Sequence, residues 1–258
     1  MDKSLLQTTQ ELFAINFFRY FFIATPAFLV FYIFFKKQWN YKKIQQAFPK
    51  SSDYWREISY SLLTILIFVG VALVAFVSPL KQFHLQYYAL SEKGTLYFVV
   101  SILLMILLHD TYFYWIHRAM HHPKLFNYFH LVHHKSTNPS PWAAYAFHPL
   151  EAVIEASVIF PIIYLIPFHK VAILIFLVFM MAYNVYGHLG YELYPKGFNK
   201  TSIGKWINTS VNHNQHHKHF TGNYGLYFLF WDRWLGTVRE DYDSNFAMVD
   251  EKRNSKNN

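Results

Sequence analysis

Eight histidines fall into three clusters. His117 and His121 are four residues apart, His130, His133 and His134 lie at i, i+3 and i+4, and His213, His216 and His217 repeat that spacing. Imidazole serves either proton transfer near neutral pH or metal ligation. On a helix, residues three and four apart share a face, so each cluster is expected to direct two or three imidazoles at one point. Eight imidazoles are too many for one metal, since a catalytic zinc takes about three protein ligands and a structural zinc about four. They suit two metals with about four ligands each and room for a small molecule. The ligand type admits iron, zinc, copper and nickel alike. The chain has no cysteine, which excludes disulfides, iron–sulfur clusters and thiolate-bound haem. The Glu-x-x-His pairs of soluble di-iron bundles are absent as well.

The remaining histidines divide by position. His148 starts a segment returning to apolar sequence and His188 ends the last apolar run, so either can complete a coordination shell or donate a hydrogen bond from just outside it. His122 follows His121 and is expected to face away. His219 is expected to face solvent. His84 and His169 lie in connections assigned to the opposite face and are excluded. His109 and Asp110 sit about two helical turns before His117, at membrane depth, where a buried ionisable group suggests function. A plainer role for Asp110 is to orient a ligating imidazole or to pair with Arg118. A histidine-rich buffering surface would be a low-complexity tract. Here histidines alternate with other residues, as in HLVHH and HNQHH, which argues against it.

These side chains need a scaffold. Of the 258 residues 53% are apolar and only 15% charged, too little charge for a soluble enzyme of this length. Apolar runs cover 11–35, 58–80 and 95–116. Arg19 and Pro26 interrupt the first, and Arg19, near one end, is expected to snorkel. Two shorter runs, 151–168 and 171–187, are marginal as spans and suit a hairpin or two re-entrant helices, with a tight turn at Pro167–Lys170. The expected fold class is therefore all-α: an integral membrane protein of about four transmembrane or re-entrant helices with a histidine-rich helical cap. It reads as one structural unit: an N-terminal membrane hairpin at 1–94, a histidine-bearing region at 95–240 and a polar tail at 241–258 with a disordered-looking end. No cleavable signal peptide is expected, because 1–10 is polar and the following run is too long.

Lys and Arg set the orientation. The 36–57 connection carries Lys36, Lys37, Lys42, Lys43, Lys50 and Arg56, whereas 81–94 carries only Lys81 and Lys93. By the positive-inside rule 36–57 is cytoplasmic, the N-terminus is outside, and both histidine-rich regions meet on the cytoplasmic face. The net charge of +8 fits such a protein. The basic residues form no stripe or reader motif, so no nucleic acid is expected as a partner.

The stretches DTYFYWIHRAMHHPKLFNYFHLVHHKSTNPSPWAAYAFHPLEA and NHNQHHKHFTGNYGLYFLFWDRWLGT resemble the fatty acid hydroxylase superfamily and, within it, the sterol desaturases. The resemblance covers roughly 95–240. It implies a membrane di-iron centre that uses dioxygen to hydroxylate or desaturate a sterol-like, fatty acyl or related lipid. It carries the three histidine boxes, as metal ligands and catalytic set, onto His117 and His121, His130, His133 and His134, and His213, His216 and His217. Its Asn-x-x-x-His motif matches Asn184 and His188. No haem-binding domain is fused to the chain, so electrons are expected from a separate b-type cytochrome or a ferredoxin and its reductase. The C-terminus shows no Lys-Lys retrieval signal, which favours a bacterial inner membrane over the endoplasmic reticulum. The rival classes are a membrane metal transporter and a membrane zinc hydrolase. The first needs polar ligands along the spans, of which the runs 11–35 and 58–80 contain almost none; the second needs a His-Glu-x-x-His string, which does not occur.

Overall fold

The computed structural model describes residues 4–256. Helix α1 (Leu5–Phe28) opens with a reciprocal cap: Gln7 N donates to Ser4 Oγ at 3.2 Å and Ser4 N to Gln7 Oε1 at 3.0 Å. Pro26 removes one N–H from its ladder, and the helix continues as a π-helical stretch, Leu29–Phe34. Helix α2 (Ser51–Val77) has Asp53 in its first turn, accepting from Lys50 N at 3.0 Å, and stops ahead of Pro79. A two-residue strand β1 (Gln86–Tyr87) precedes α3 (Gly94–Met120). Pro123 then starts α4 (Pro123–Phe129), followed by the single turn α5 (Leu131–His134). Next come α6 (Pro149–Ala156), α7 (Ile159–Leu165), strand β2 (Phe168–His169) and α8 (Lys170–Gly187). The chain closes with α9 (Ser210–His219), α10 (Phe230–Trp234) and α11 (Tyr242–Lys256).

Among the described residues four helical stretches are long and apolar enough to cross a membrane: Leu5–Phe34, Ser51–Val77, Gly94–Met120 and Lys170–Gly187. The 151–187 region is a hairpin with one broken arm. β1 pairs in parallel with β2, Gln86 opposite Phe168 and Tyr87 opposite His169. β1 lies in the α2–α3 connection, so α6 and α7 together carry the chain to that end of the bundle and α8 returns it. At the other end the lysine-rich connection meets the cap. Lys43 bridges to Tyr191, Gln45 Nε2 donates to Asn214 Oδ1 at 2.9 Å, and Arg56 Nη2 donates to Ser136 Oγ at 3.1 Å. The connection and both histidine-rich regions therefore share one end.

Two expectations need correction. Arg19 does not snorkel. The helix begins at Leu5, well before the apolar run, so Arg19 lies midway along the 30-residue stretch Leu5–Phe34 and is buried. The end of the polar tail is not irregular: α11 runs to Lys256, and 257–258 lie outside the described residues. Its Tyr242, Phe246 and Val249, spaced four and three apart, are buried against Val211 and Leu229. A low average hydropathy hid this one-sided stripe.

Candidate metal centre

Most of these histidines sit at the ends of elements. His117 is in the last turn of α3 and His121 just beyond it; His130 joins α4 to α5, which carries His133 and His134; His188 follows α8; α9 carries the rest. Among the described residues these nine form two groups. His117, His121, His130, His134 and His216 make the first; His133, His188, His213 and His217 make the second. Within each group the ligand nitrogens lie within 4.8 Å of one another, and all nine rings except that of His121 are buried.

The boxes do not each converge on one point, as the spacing predicts. Every pair four apart stays together: His117 with His121, His130 with His134, His213 with His217. The third member of the second and third boxes crosses over, His133 to the second group and His216 to the first. Neighbouring residues on a helix diverge by about 100°, so 133 and 134, or 216 and 217, cannot share a target. One turn of helix thus serves both groups at once.

Backbone carbonyls fix the tautomers. His117 Nδ1 lies 2.9 Å from Tyr224 O, His188 Nδ1 2.8 Å from Asn184 O, His216 Nδ1 2.8 Å from Gly222 O, and His217 Nδ1 3.0 Å from Ser136 O. A carbonyl only accepts, so each Nδ1 carries the proton and each Nε2 presents a lone pair. Yet His188 Nε2 and His217 Nε2 are 3.1 Å apart. Two neutral imidazoles held this way have no proton to share. In addition His117 Nε2 and His130 Nε2 are buried without a hydrogen-bond partner. Lone pairs converging in a buried place are a setting for a cation.

That cation is not a proton. Burial, then the neighbouring imidazoles, pushes His130, His133, His134, His213, His216 and His217 well below the usual imidazole range, and burial takes His188 to about 4. All are neutral at pH 7, the form that binds metal. The donor set fits two ions of the imidazole-binding class.

One participant escapes the sequence reading. Glu151, 1% exposed, places Oε1 2.6 Å from His130 Nδ1, which turns His130 Nε2 toward the first group. The signal was an acid inside the apolar run at 151–168, the kind of intramembrane charge that marks function. The carbonyls of Ser136, Gly222 and Tyr224 leave no mark in a sequence.

The other candidates have different employment. Asp110 neither orients a ligand nor pairs with Arg118; its Oδ1 accepts from Tyr227 N at 2.8 Å and Phe228 N at 3.2 Å, stitching the chain before α10 to α3. His109 Nδ1 meets the Tyr227 hydroxyl at 2.8 Å. His148 stays outside both groups and caps α6, its Nδ1 3.3 Å from Leu150 N. Asn184 serves His188 through its backbone carbonyl, while its side chain donates to Ala144 O at 2.7 Å. His122 and His219 are exposed, and His84 and His169 lie at the β1–β2 end.

Below the histidines lies an apolar cavity of about 350 Å³ between α1, α2, α3, α6, α7 and α8. Phe113 and Phe147 line it, and each packs on an imidazole: ring centroids are 4.8 Å apart for Phe113 and His117, and 5.1 Å for Phe147 and His133. The cavity reaches both groups through these two phenyl rings.

Residues 102–237 match the family model described as fatty acid hydroxylase. Similar curated proteins include a Delta(7)-sterol 5(6)-desaturase of Gibberella zeae, 32% identical over 71% of this chain and 55% of its own. A lathosterol oxidase of Homo sapiens is 30% identical over 71% and 60%, and one of Rattus norvegicus 33% identical over 57% and 48%. The chain thus spans about half to three-fifths of the length of these relatives. No solved structure matches it.

Proposed function

Since the chain belongs to the fatty acid hydroxylase family, we propose that it is a membrane-bound, dioxygen-dependent hydroxylase or desaturase of a sterol-like, fatty acyl or related lipid, working with two iron ions. The observation that carries this reading is the adjacency of two histidine groups and an apolar cavity, joined through Phe113 and Phe147.

Attack on an unactivated C–H bond needs oxidising power that no side chain supplies, and bound iron with dioxygen supplies it. The chain's own residues do the rest. The two histidine groups hold the ions, and the carbonyls behind His117, His188, His216 and His217 keep each Nε2 unprotonated. Glu151 holds the His130 proton at Nδ1. Phe113 and Phe147 keep water from the reacting carbon and press the lipid toward the imidazoles. A lipid enters sideways, where Ile15 and Leu174 line the cavity and are themselves exposed. One oxygen atom ends in an alcohol, or in desaturation both end in water. Either way two electrons and two protons come from outside the chain.

The donor is a separate b-type cytochrome or ferredoxin that docks on the cap, where Lys124, Lys135 and Lys218 are exposed. The lysine-rich connection lies at the cap's end of the bundle, which supports a cytoplasmic cap. The relatives named above are eukaryotic and lend nothing to the expectation of a bacterial inner membrane.

The test is reconstitution with iron, a reductase system and labelled dioxygen, read by mass spectrometry of added sterols and fatty acyl lipids. Gain of one labelled oxygen means hydroxylation. Loss of two hydrogens without label means desaturation. No change in any lipid, with iron bound and reduced, overturns the reading.

A further inference from the structure

The exposed face of α3 changes character at one level. Leu104, Leu107, Thr111 and Trp115, spaced three and four apart, form an exposed stripe, and Arg118 follows them on the same face. An apolar stripe that passes through Trp to a basic residue marks where a spanning helix leaves the hydrocarbon for the headgroup layer.

The short helix α10 docks at this level. Trp231 Nε1 donates to Thr111 Oγ1 at 3.2 Å, and the Trp231 ring centroid is 5.5 Å from that of Trp115. Trp234 and Leu235 in the same segment are 65% and 40% exposed. Ile203, on the loop that packs against α10 through Trp206 and Phe230, is 71% exposed. Large apolar side chains left bare at this depth suit the membrane interface.

Two cations meet beside them. Lys205 Nζ lies 5.4 Å and the Arg233 guanidinium carbon 5.9 Å from the centroid of the Trp206 ring, and Arg233 Nε donates to Lys205 O. Among the described residues neither has an acidic partner. The acid next to Arg233 in the chain, Asp232, is buried and otherwise engaged: its Oδ1 accepts from Tyr224 N at 2.9 Å and its Oδ2 from Gly225 N at 2.7 Å. Two like charges gathered at one indole repel each other, and a shared anion relieves the repulsion. A guanidinium fork beside an ammonium matches phosphate oxygens. The bare Trp234 and Ile203 select among phosphates, because they favour one whose tails lie in the bilayer.

We propose that Lys205 and Arg233, with Trp234 and Ile203 seated beside them, bind the phosphate of an anionic phospholipid, and that the bilayer surface thereby holds the 222–237 segment in place. This segment carries the Gly222 and Tyr224 carbonyls that brace His216 and His117, and Asp232 ties it to α10. None of the four residues lines the cavity, so this lipid is distinct from the molecule that would enter there.

The test needs neither metal nor turnover. Full-length metal-free protein is placed in phosphatidylcholine nanodiscs carrying pyrene-labelled phosphatidylglycerol or pyrene-labelled phosphatidylcholine, and energy transfer from tryptophan reports which lipid is held. The glycerol lipid is expected to be preferred by about fivefold for each of the two basic residues, and raised salt should shrink the preference. Lys205→Gln should remove one such factor and Lys205→Gln with Arg233→Gln both. Lys205 is exposed, so its single variant keeps the test open if the double variant does not fold. Amide exchange across 222–237 should be slower in discs containing phosphatidylglycerol than in phosphatidylcholine alone, and the double variant should lose that difference. A merely structural role for the two side chains would make exchange indifferent to the headgroup. Equal retention of both lipids, an undiminished preference in the folded double variant, or exchange insensitive to the headgroup would overturn the proposal. So would displacement of the labelled lipid by an equal concentration of glycerol 3-phosphate, which would assign the two cations to a free anion.

Discussion

The two histidine groups lie side by side and share α5 and α9, yet they are braced differently. Behind the first stand a carboxylate, Glu151 on His130, and the carbonyls of Tyr224 and Gly222. Behind the second stand only carbonyls, those of Asn184 and Ser136. A carboxylate behind an imidazole strengthens its donation and offsets part of an ion's charge, which a carbonyl does less. The second group depends instead on close packing. A Cβ at Gly187 would lie 3.2 Å from His213 Cδ2, so glycine there leaves the imidazole its room. Ligand type alone would have made the two sites equivalent; their surroundings make them different.

That contrast can be broken most directly by taking one ligand from each group. His216→Ala and His133→Ala should each abolish turnover and lower bound iron from two to about one per chain, since a shell short of a ligand loses its ion. Metal analysis of both proteins checks this, and loss of all iron from either one would mean the groups are not separable. A smaller effect is expected from Glu151→Gln, which keeps the shape and removes the charge. It should weaken the first ion about 10–100-fold while sparing the second. Competition with a chelator, followed site by site in the iron spectrum, would expose an equal loss at both and so end the distinction.

Gly187→Ala reverses the test. It should loosen the second ion by a few-fold, roughly what a few tenths of an ångström cost a ligand, and leave the first as tight as before. Acid acts on both groups and sharpens the comparison through stability. The unfolded chain protonates its histidines near 6.5, whereas folded His188 resists down to about 4. Protons therefore favour the unfolded chain as pH falls below 6.5, and stability should drain away progressively toward pH 4, where the His188 contribution levels off. Thermal melts of metal-free protein across that window check the sign; a melting point rising on acidification would contradict it. The smallest effect belongs to His122→Ala. This exposed residue only caps α4, 3.3 Å from Lys124 N, so both ions and turnover should stay near wild type.

Much of this was legible in the chain. Periodicity in a run such as 58–80 is a local property, and so is the i, i+4 spacing that keeps His130 with His134. The lysine asymmetry between 36–57 and 81–94 anticipated that the connection and the cap share an end. Arg19 was misplaced because hydropathy marks where apolar residues stop, not where a helix starts. α11 was missed because three buried side chains cannot lift the average of a polar segment.

What sequence determined by itself was chemistry and reach: which side chains are of a type and spacing to ligate, which segments suit a membrane, and which pairs lie on one helical face, because bond geometry and transfer energies act over a turn or two. Only the tertiary structure decided how nine imidazoles divide into five and four, why Glu151 stands behind His130, and that Arg19 lies buried against Tyr145. Those facts join residues far apart in the chain, such as His117 to Tyr224 and Arg19 to Tyr145. Their closeness is set by how whole helices pack, and no local pattern records it.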